Sequence, residues 1–187
     1  MTARTMARDV RKAVAGWTYD AVSIGYPGVV LHGKPISEPR NLGGGWVGFR
    51  FKKAFRCPVT VINDAAMQAL GSYKGGRMLF LGLGTGLGSA LIIDGILEPT
   101  ELAHLPYKKG RTYEDYVGKA GLKRLGKKKW RRYVLDVVAR LKAALEADDV
   151  VIGGGYAKLL KRLPRGVRLG ANANAFLGGY RLWKKHA

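Results

Sequence analysis

Cysteine is almost absent from this chain, which has Cys57 alone among its 187 residues. A single thiol excludes an intrachain disulfide and any cysteine-rich zinc site. Long apolar runs are also missing, because the longest ones, such as MLFLGLG and SALII, are too short to cross a bilayer. The opening MTARTMARDVRKAV has neither an apolar core nor a small-residue cleavage site, so no secretory signal is predicted. We expect a cytoplasmic protein without membrane contact.

Acidic residues are scarce as well. The chain has 33 Lys and Arg against 13 Asp and Glu, a formal net charge of +20, and no acidic residue follows Asp149. Such a charge attracts polyanions, including RNA, polyphosphate and nucleotides. A solvated helix face would account for much of the basic stretch 119–132, although not for the imbalance of the whole chain. The predicted polyanion-binding residues are Lys108, Lys109, Arg111, Lys127, Lys128, Lys129, Arg131 and Arg132.

Predicted strands alternate with predicted helices along the chain. YDAVSIG (19–25), CPVTVIN (57–63) and DDVVIGGG (148–155) are typical of buried strands, and Asp94-Gly95 is a good hairpin turn. Apolar residues at spacings of three and four predict helices elsewhere. The predicted helices span 3–15, 51–56, 65–74, 112–124, 127–147, 156–163 and 172–183. This alternation predicts an α/β fold with mixed sheets flanked by helices.

The segment VINDAAMQALG (61–71) passes from an apolar strand through an Asn-Asp pair into a helix of small residues. Asp is a good N-cap, because its side chain accepts a hydrogen bond from the first helical turn. Ligands of open α/β sheets bind at the carboxyl ends of strands, which is where Asp64 lies. Taken alone, the segment favours a cap over a catalytic carboxylate.

Two glycine-rich segments follow predicted strands. GLGTGLG (82–88) lies between two apolar strands, where backbone N–H groups and the Thr85 hydroxyl would approach a phosphate. A tight hairpin is the alternative, and the segment is neither a Walker loop nor a dinucleotide fingerprint. IGGGYAKLL (152–160) is a weaker strand–glycine–helix junction of the kind that binds anions.

Carboxylates and an imidazole occur together in ELAHLPY and TYEDYVG. They place Glu101 and His104 three residues apart and add Glu114. Such groups hold sugar hydroxyls through directional hydrogen bonds. A lone histidine is more often a structural partner, so these residues by themselves support a binding site only modestly.

In order, VSIGYPGVV, NLGGGW, VINDAAMQALG, LGLGTGLGSALI, ELAHLPY, TYEDYVG and VVIGGG resemble the motifs of the ROK family of sugar kinases. The likeness covers essentially the whole chain and is greatest to the bacterial polyphosphate or ATP glucokinases of that family. It implies the actin/hexokinase-like (ribonuclease H-like) fold, with two α/β lobes and a cleft in which a sugar hydroxyl, glucose O6, is phosphorylated.

The resemblance also implies roles for single residues. Asp64 matches the general base that takes the proton of the sugar hydroxyl. The residues that match sugar contacts are Asn41, Asn63, Glu101, His104 and Glu114. The residues that match phosphate or nucleotide contacts are Gly84, Thr85, Gly86, Gly153, Gly154 and Gly155. The implied cofactor is Mg²⁺ with ATP or polyphosphate, and no zinc is expected because the family's cysteine-rich motif is absent.

The chain also departs from the family pattern. ROK kinases open with a strand and a DIGGT-type phosphate loop, and no such segment occurs in this sequence. We therefore expect a truncated N-terminal lobe (1–64), a C-terminal lobe (65–171) and a last helix (172–187) that packs back on the N-terminal lobe. The truncation would expose an apolar sheet edge, which a second copy of the chain or a larger assembly would cover.

Two functions from different classes follow. One is a glucokinase-type phosphotransferase, impaired if the DIGGT-type loop is essential. The other is a kinase-derived, strongly basic protein that has no catalytic role and binds RNA or another polyanion. The Asn63-Asp64 pair and the glycine segments favour the first, and the net charge of +20 favours the second.

Overall fold

The first part of the chain alternates helices with short strands. The structure is a computed structural model in which residues 1–39 and 42–184 are described. Helix α1 begins at a capping box, in which Thr2 Oγ1 accepts from Thr5 N and Thr5 Oγ1 accepts from Thr2 N. In chain order the elements are α1 (Ala3–Ala13), β1 (Val22–Tyr26), β2 (Val30–Leu31), β3 (Lys34–Pro35), α2 (Phe51–Phe55), β4 (Val59–Asn63) and α3 (Asp64–Ser72).

The rest of the chain adds a hairpin-rich sheet, one long helix and two short helices. 3₁₀-helical turns span Leu102–His104 and Ala157–Leu159. The other elements are β5 (Arg77–Leu83), β6 (Leu87–Ile93), β7 (Ile96–Thr100), β8 (Pro106–Lys108), β9 (Arg111–Thr112), α4 (Tyr113–Val117), α5 (Lys119–Ala144), β10 (Asp149–Gly153), β11 (Val167–Leu169) and α6 (Asn174–Arg181).

Strands β1 and β4 form a parallel two-stranded sheet, in register from Val22 opposite Val59 to Tyr26 opposite Asn63. Alternate side chains of β1 face opposite sides of this sheet. Val22, Ile24 and Tyr26 pack into an apolar cluster that includes Trp46 and the buried residues of α1 and α2. Ser23 faces the other way, where its hydroxyl donates to Gly179 O of α6.

The second sheet has five strands in the order β11-β10-β5-β6-β7. Its centre is parallel, with Leu79 opposite Val150, and its other half is an antiparallel meander closed by the Asp94-Gly95 turn. The turn fits because both residues have positive φ, 49° and 85°, as a type I′ hairpin requires. The predicted mixed α/β arrangement is confirmed.

Helix α5 covers one face of the five-stranded sheet. Trp130, Val134 and Val137 are buried against Leu81 and Ile152, and the indole N–H of Trp130 donates to Val117 O at 2.8 Å. Separate helices were predicted at 112–124 and 127–147. The predicted break is present at Gly126, whose φ of 70° and ψ of 160° are not helical, and a further break after Val117 was not predicted.

Helices α3 and α6 pack in direct backbone contact. A Cβ on Gly71 would overlap the backbone of Asn174, and a Cβ on Gly178 would overlap the carbonyl of Met67. Asn174 Nδ2 donates to Ser72 Oγ at 2.9 Å, and Arg181 donates to the carbonyls of Leu70 and Tyr73 at the end of α3. Glycine on both helices therefore sets their close approach.

Some segment predictions were wrong. The helix predicted at 156–163 is a single 3₁₀ turn, because the chain returns to extended backbone at Leu160 (φ −80°, ψ 127°) and reaches Pro164 soon after. Strand β11, which pairs with β10, was not predicted. The division into 1–64, 65–171 and 172–187 stays a prediction. Within residues 1–39 and 42–184, no helix is both long enough and apolar enough to cross a membrane.

Candidate active site

The junction between β4 and α3 is held by Asn63. Its Oδ1 accepts hydrogen bonds from Ala65 N at 2.9 Å and Ala66 N at 3.2 Å, and its Nδ2 donates to Gly28 O at 3.1 Å. Asn63 has extended backbone (φ −60°, ψ 144°) and is the N-cap, whereas Asp64 is the first helical residue. The interpretation of Asp64 as the cap was wrong, because the preceding side chain satisfies the helix N–H groups.

Asp64 shares one of these donors with Asn63. Its Oδ1 accepts from Ala65 N at 2.8 Å. Burial raises the pKa of Asp64 above its ordinary value of 3.8, and hydrogen bonds from the backbone N–H groups of Ala65 and of Asp64 itself oppose that rise. Gly25 of β1 packs alongside, since a Cβ there would lie 3.6 Å from the Cβ of Asp64. A partly buried carboxyl with a raised pKa is suited to accept a proton.

The glycine turn, defined here as Gly84–Gly86, joins β5 to β6 beside this helix. Gly84 N donates to Gly86 O at 3.1 Å, and Thr85 O accepts from Lys119 N at 3.2 Å, at the first residue of α5. Glu114 Oε2 accepts from Leu87 N at 3.1 Å. A Cβ on Gly86 would overlap the carboxylate of Glu114, so a larger residue here would displace that carboxylate from Leu87 N.

The strand ends bring the second glycine segment next to the first. Gly82 lies opposite Gly88 on one side and opposite Gly153 on the other. The methyl of Ala65 in α3 would contact a Cβ on Gly88 at 2.8 Å, so the first turn of α3 lies against this hairpin. Gly154 has a φ of 83° and packs on Leu83 O. The ends of β4, β5 and β10 thus meet at one edge.

A cavity of about 310 Å³ lies between the β2–β3 hairpin, the end of β4 and the last residues of β7. Of the predicted sugar contacts, Asn63 and Glu101 line it. Ser89 and Thr100 line it too, and their hydroxyls are 2.8 Å apart. These two were not predicted as site residues, although a serine inside the apolar run LGSALII was a usable signal.

The remaining predicted sugar contacts lie elsewhere or outside the description. His104 Nε2 is 3.7 Å from Glu101 Oε1 and both side chains are more than half exposed, but His104 does not line the cavity. Asp64 is not among the lining residues either. Glu114 faces the glycine turn. Asn41 lies outside the described residues.

Glu38 was not singled out from the sequence. Its carboxylate accepts backbone N–H groups of Gly45, Trp46 and Val47 at 3.1 to 3.2 Å. It therefore anchors the Gly45–Trp46 end of the NLGGGW motif. A carboxylate seven to nine residues before its donors leaves no periodic signal in the sequence.

The predicted polyanion residues differ in what their side chains contact. Lys108 Nζ lies 3.4 Å from Asp136 and over the rings of Tyr107 and Tyr133. Arg131 donates to Leu159 O. Lys109, Arg111, Lys127, Lys128, Lys129 and Arg132 are exposed. Part of the basic cluster is therefore structural and part faces solvent.

Carboxylates, histidines and the cysteine are dispersed. Among residues 1–39 and 42–184, no three or more of the His, Cys, Asp and Glu side chains are grouped closely enough to hold a metal ion. A Mg²⁺ ion that accompanies a phosphoryl donor is bound chiefly by phosphate oxygens and water, with one or two carboxylates. The described residues therefore do not form a protein-held Mg²⁺ site.

The family follows from comparison with known proteins. A family model described as the ROK family matches residues 3–99, just over half of the chain. The chain belongs to the ROK family. The matched region contains β1, β4, α3 and the glycine turn, so it includes Asp64 and Thr85.

A relative in sequence is the polyphosphate glucokinase of Mycobacterium tuberculosis. It is 28% identical over 173 residues, which cover 84% of this chain and 64% of that enzyme. The chain therefore spans less than two thirds of the length of this curated relative. This similarity supports membership of a sugar-kinase family.

Two solved structures share the fold. The inorganic polyphosphate/ATP-glucomannokinase from Arthrobacter sp. strain KM superposes with a TM-score of 0.79 at 24% identity, covering 96% of this chain and 81% of that one. A ROK family glucokinase from Streptomyces griseus, solved with glucose and AMPPNP, gives a TM-score of 0.78 at 17% identity, covering 97% and 88%. The predicted actin/hexokinase-like fold is confirmed.

Proposed function

We propose that this ROK protein transfers a phosphoryl group from ATP or polyphosphate to glucose O6. The observation that carries the proposal is the partly buried carboxylate of Asp64, whose helix begins against the hairpin that holds the glycine turn. The printed names of the relatives, a polyphosphate glucokinase and a polyphosphate/ATP-glucomannokinase, support the same substrate classes.

In this proposal Asp64 is the general base. Its carboxylate accepts the proton of the glucose 6-hydroxyl while O6 forms a bond to the terminal phosphorus of the donor. The bond from that phosphorus to the bridging oxygen breaks, which releases ADP or a polyphosphate shortened by one phosphate. Phosphoryl transfer needs mainly positioning and charge stabilisation. One oriented base with a raised pKa is therefore sufficient to activate the acceptor hydroxyl.

The sugar would bind in the cavity that Asn63 and Glu101 line, with its 6-hydroxyl directed out of the cavity towards Asp64, the residue that follows Asn63. Glu101 presents a carboxylate that accepts hydrogen bonds from sugar hydroxyls, and the Ser89 and Thr100 hydroxyls extend the polar lining. His104, paired with Glu101, and Asn41 keep the predicted role of sugar contacts. For Glu114, the contact with Leu87 supports a role in holding the glycine turn alongside the predicted sugar contact.

The donor phosphates would lie on the glycine turn and on Gly153 to Gly155. Backbone N–H groups of glycine segments approach phosphate oxygens without interference from Cβ atoms. Thr85 adds a hydroxyl, and Lys119, held to Thr85 through its backbone, brings a cation to the same turn. Mg²⁺ bound to the donor would supply further charge neutralisation.

A turnover assay tests the proposal. Wild-type chain with glucose and either ATP or polyphosphate should form glucose 6-phosphate. Asp64→Asn should lower kcat by roughly 10²- to 10⁴-fold, the usual contribution of a general base.

Asp94→Asn is the matched control, since Asp94 lies in an exposed hairpin turn and Asn also adopts positive φ. Circular dichroism checks that both variants are folded. Absence of turnover by the wild type with either donor would overturn the proposal.

A second candidate function is RNA binding without catalysis, favoured by the net charge of +20. Lys127, Lys128, Lys129 and Arg132 are exposed on α5, and within the described part of the chain none of them lies in an ion pair. Contacts of this kind release counterions, so affinity should fall steeply with salt.

Charge reversal separates this second function from a general charge effect. Lys127→Glu, Lys128→Glu and Lys129→Glu together should weaken single-stranded RNA binding by at least about 10-fold at physiological salt. The same number of reversals at the exposed Lys12, Lys34 and Lys74 is the control. Equal loss from both sets would show nonspecific attraction and would contradict a site on α5.

A further inference from the structure

Ser89 is a buried hydroxyl in an otherwise apolar part of β6. Only 5% of the residue is exposed, and the residues two positions before and after it, Leu87 and Leu91, belong to the apolar cluster that α5 covers. Alternate residues of a strand share a face, so Ser89 lies between two leucines. A hydroxyl in such surroundings costs free energy unless it is hydrogen-bonded. The partners of Ser89 therefore indicate what a serine contributes at this position.

The Ser89 hydroxyl uses its whole hydrogen-bonding capacity on the chain around Glu101. Its Oγ donates to Thr100 O at 3.0 Å, and it accepts from Thr100 Oγ1 at 2.8 Å and from Leu102 N at 3.2 Å. A serine hydroxyl has one proton and two lone pairs, so three such bonds saturate it. Thr100 precedes Glu101 and Leu102 follows it. One buried side chain thus holds the backbone on both sides of Glu101.

Strand β7 ends where these hydrogen bonds are made. The pairing of β6 with β7 runs from Ile93 opposite Ile96 to Ser89 opposite Thr100, and a 3₁₀ turn begins at Leu102. Glu101 lies between the strand and the turn, with φ −124° and ψ 67°. The hydrogen bond from Leu102 N to Ser89 therefore fixes the chain beyond the last residue of the strand.

The Glu101 carboxylate is held less firmly than its backbone. Its side chain is 61% exposed, and Oε1 lies 3.7 Å from His104 Nε2, which is beyond a hydrogen bond. Exposed pairs of this kind contribute little order. A side chain that binds a ligand in one orientation needs support from residues behind it. For Glu101, which lines the cavity, the three hydrogen bonds of Ser89 give that support.

We propose that Ser89 is a positioning residue that orients the Glu101 carboxylate for sugar binding. This role rests on the proposed function, because it concerns the same cavity. Ser89 lines the cavity, but its only hydroxyl proton is already donated to Thr100 O. Ser89 therefore acts through Glu101 and does not donate to the sugar itself.

Hydrogen exchange of the sugar-free chain tests the support without any activity. In Ser89→Ala the Leu102 amide loses its acceptor and should exchange at least about 10-fold faster, while the amides of Leu79 and Leu81 in β5 keep their protection. Ser72→Ala is the matched control, because Ser72 is a second buried serine, 3% exposed, whose hydroxyl donates to Gln68 O. Unchanged exchange of Leu102 in Ser89→Ala would overturn the proposal.

Steady-state kinetics tests whether Ser89 acts through Glu101. Ser89→Ala should raise the glucose KM by about 5-fold and change kcat by less than about 2-fold, since the lost contact is made in the ground state and the transition state alike. In a Glu101→Gln background the same substitution should change the glucose KM by less than about 2-fold, because residues of one network are not additive. Ser89→Thr keeps the hydroxyl and should restore most of the wild-type KM, whereas Ser72→Ala should leave it unchanged. Additive effects of Ser89→Ala and Glu101→Gln would overturn the proposal.

Thr100→Val separates positioning from direct contact with the sugar. It removes one of the three hydrogen bonds of Ser89 and leaves those with Thr100 O and Leu102 N. The glucose KM should therefore rise by less than about 3-fold, and this rise should disappear in the Glu101→Gln background. Because Thr100→Val keeps the shape of the side chain, it carries the same test if Ser89→Ala does not fold. A rise that persists in the Glu101→Gln background would indicate that Thr100 contacts the sugar directly and would contradict the proposal.

The role of Ser89 and the phosphotransferase proposal fail separately. Calorimetry measures glucose binding without turnover. A wild type that binds glucose but forms no product would overturn the phosphotransferase proposal, and the same comparison of variants by Kd would then decide the role of Ser89. A wild type that turns glucose over with additive Ser89 and Glu101 effects would overturn the role of Ser89 alone. A wild type that neither binds nor phosphorylates glucose would overturn both.

Discussion

The two sheets of this molecule differ in how completely they are covered. In the five-stranded sheet, Leu79 and Leu81 pack on the α5 side while Met78 and Phe80 pack on the opposite side, and all four are buried. The two-stranded sheet is covered on its faces but has an unpaired β1 edge among the described residues. The candidate base Asp64 follows the smaller sheet. The chemistry we propose therefore depends on the smaller of the two sheets.

The largest expected effect is in the core of the larger sheet. Trp130→Ala should lower the free energy of unfolding by about 3–5 kcal/mol, because it removes a fully buried indole and its hydrogen bond to Val117 O. Trp17→Ala is the matched control, since Trp17 is 72% exposed. Urea unfolding measures both variants. A similar small loss for the two would contradict a stabilising role for the buried indole of Trp130.

The contact of α6 with α3 should be the next most sensitive. Gly178→Ala places a methyl group against the carbonyl of Met67, and overpacking of this kind costs about 1–3 kcal/mol. Gly44→Ala is the control, because the nearest atom to a Cβ there is 3.9 Å away and φ is not positive. Thermal unfolding compares them. If Gly178→Ala were as stable as Gly44→Ala, close packing would not hold α6 on the small sheet.

Glu101 and Glu114 were predicted to share a role, and the geometry separates them. Glu101→Gln should raise the glucose KM by about 10-fold or more, since hydrogen bonds to a charged group contribute about 1.5–3 kcal/mol. Glu114→Gln should raise mainly the donor KM, because Glu114 holds Leu87 N beside the glycine turn. Steady-state kinetics with each substrate varied in turn measures this. Equal effects of both substitutions on the glucose KM would restore a shared sugar-binding role.

The smallest expected effect concerns the surface cluster around Asp136. A hydrogen bond from the Tyr107 hydroxyl lowers the pKa of Asp136, and burial opposes this. A hydrogen bond from Arg140 and the positive charges of Lys108 and Arg140 lower the pKa further. The stabilising contribution of Asp136 is therefore complete above the unfolded-state pKa of about 3.9 and is lost as pH falls below that value and through the lower pKa of the folded state.

The Asp136 contribution should be below about 1 kcal/mol, because the side chain is 37% exposed. Asp136→Asn should differ from the wild type in urea unfolding at neutral pH and converge with it towards pH 3. A difference that persisted or grew in acid would contradict the assigned cause.

Much of the fold could be predicted because local signals agree with it. The Asp94-Gly95 turn follows from residues that adopt positive φ, and α3 follows from small apolar residues after β4. The break at Gly126 was predicted as a boundary between helices, but the one after Val117 was not. The break after Val117 depends on the tertiary contact of Lys119 with Thr85. Strand β11 is short and is defined only by its pairing with β10.

The site could be predicted only in part. Asp64 and the glycine turn were found because strand ends and glycine segments have sequence signatures. The exchange of roles between Asn63 and Asp64 was missed, since both residues are good caps and backbone geometry decides which one serves. Ser89, Thr100 and Glu38 were missed because their partners lie 7 to 13 residues away across turns.

The pH dependence of glucose phosphorylation tests the central claim most directly. If Asp64 is the base, kcat/KM should fall in acid with an apparent pKa above the ordinary value of 3.8, because burial raises the pKa of that carboxyl. Asp64→Asn should lower turnover by roughly 10²- to 10⁴-fold across the same pH range while leaving the fold intact. An acid limb at or below 3.8, or an Asp64→Asn variant with wild-type turnover, would contradict the account.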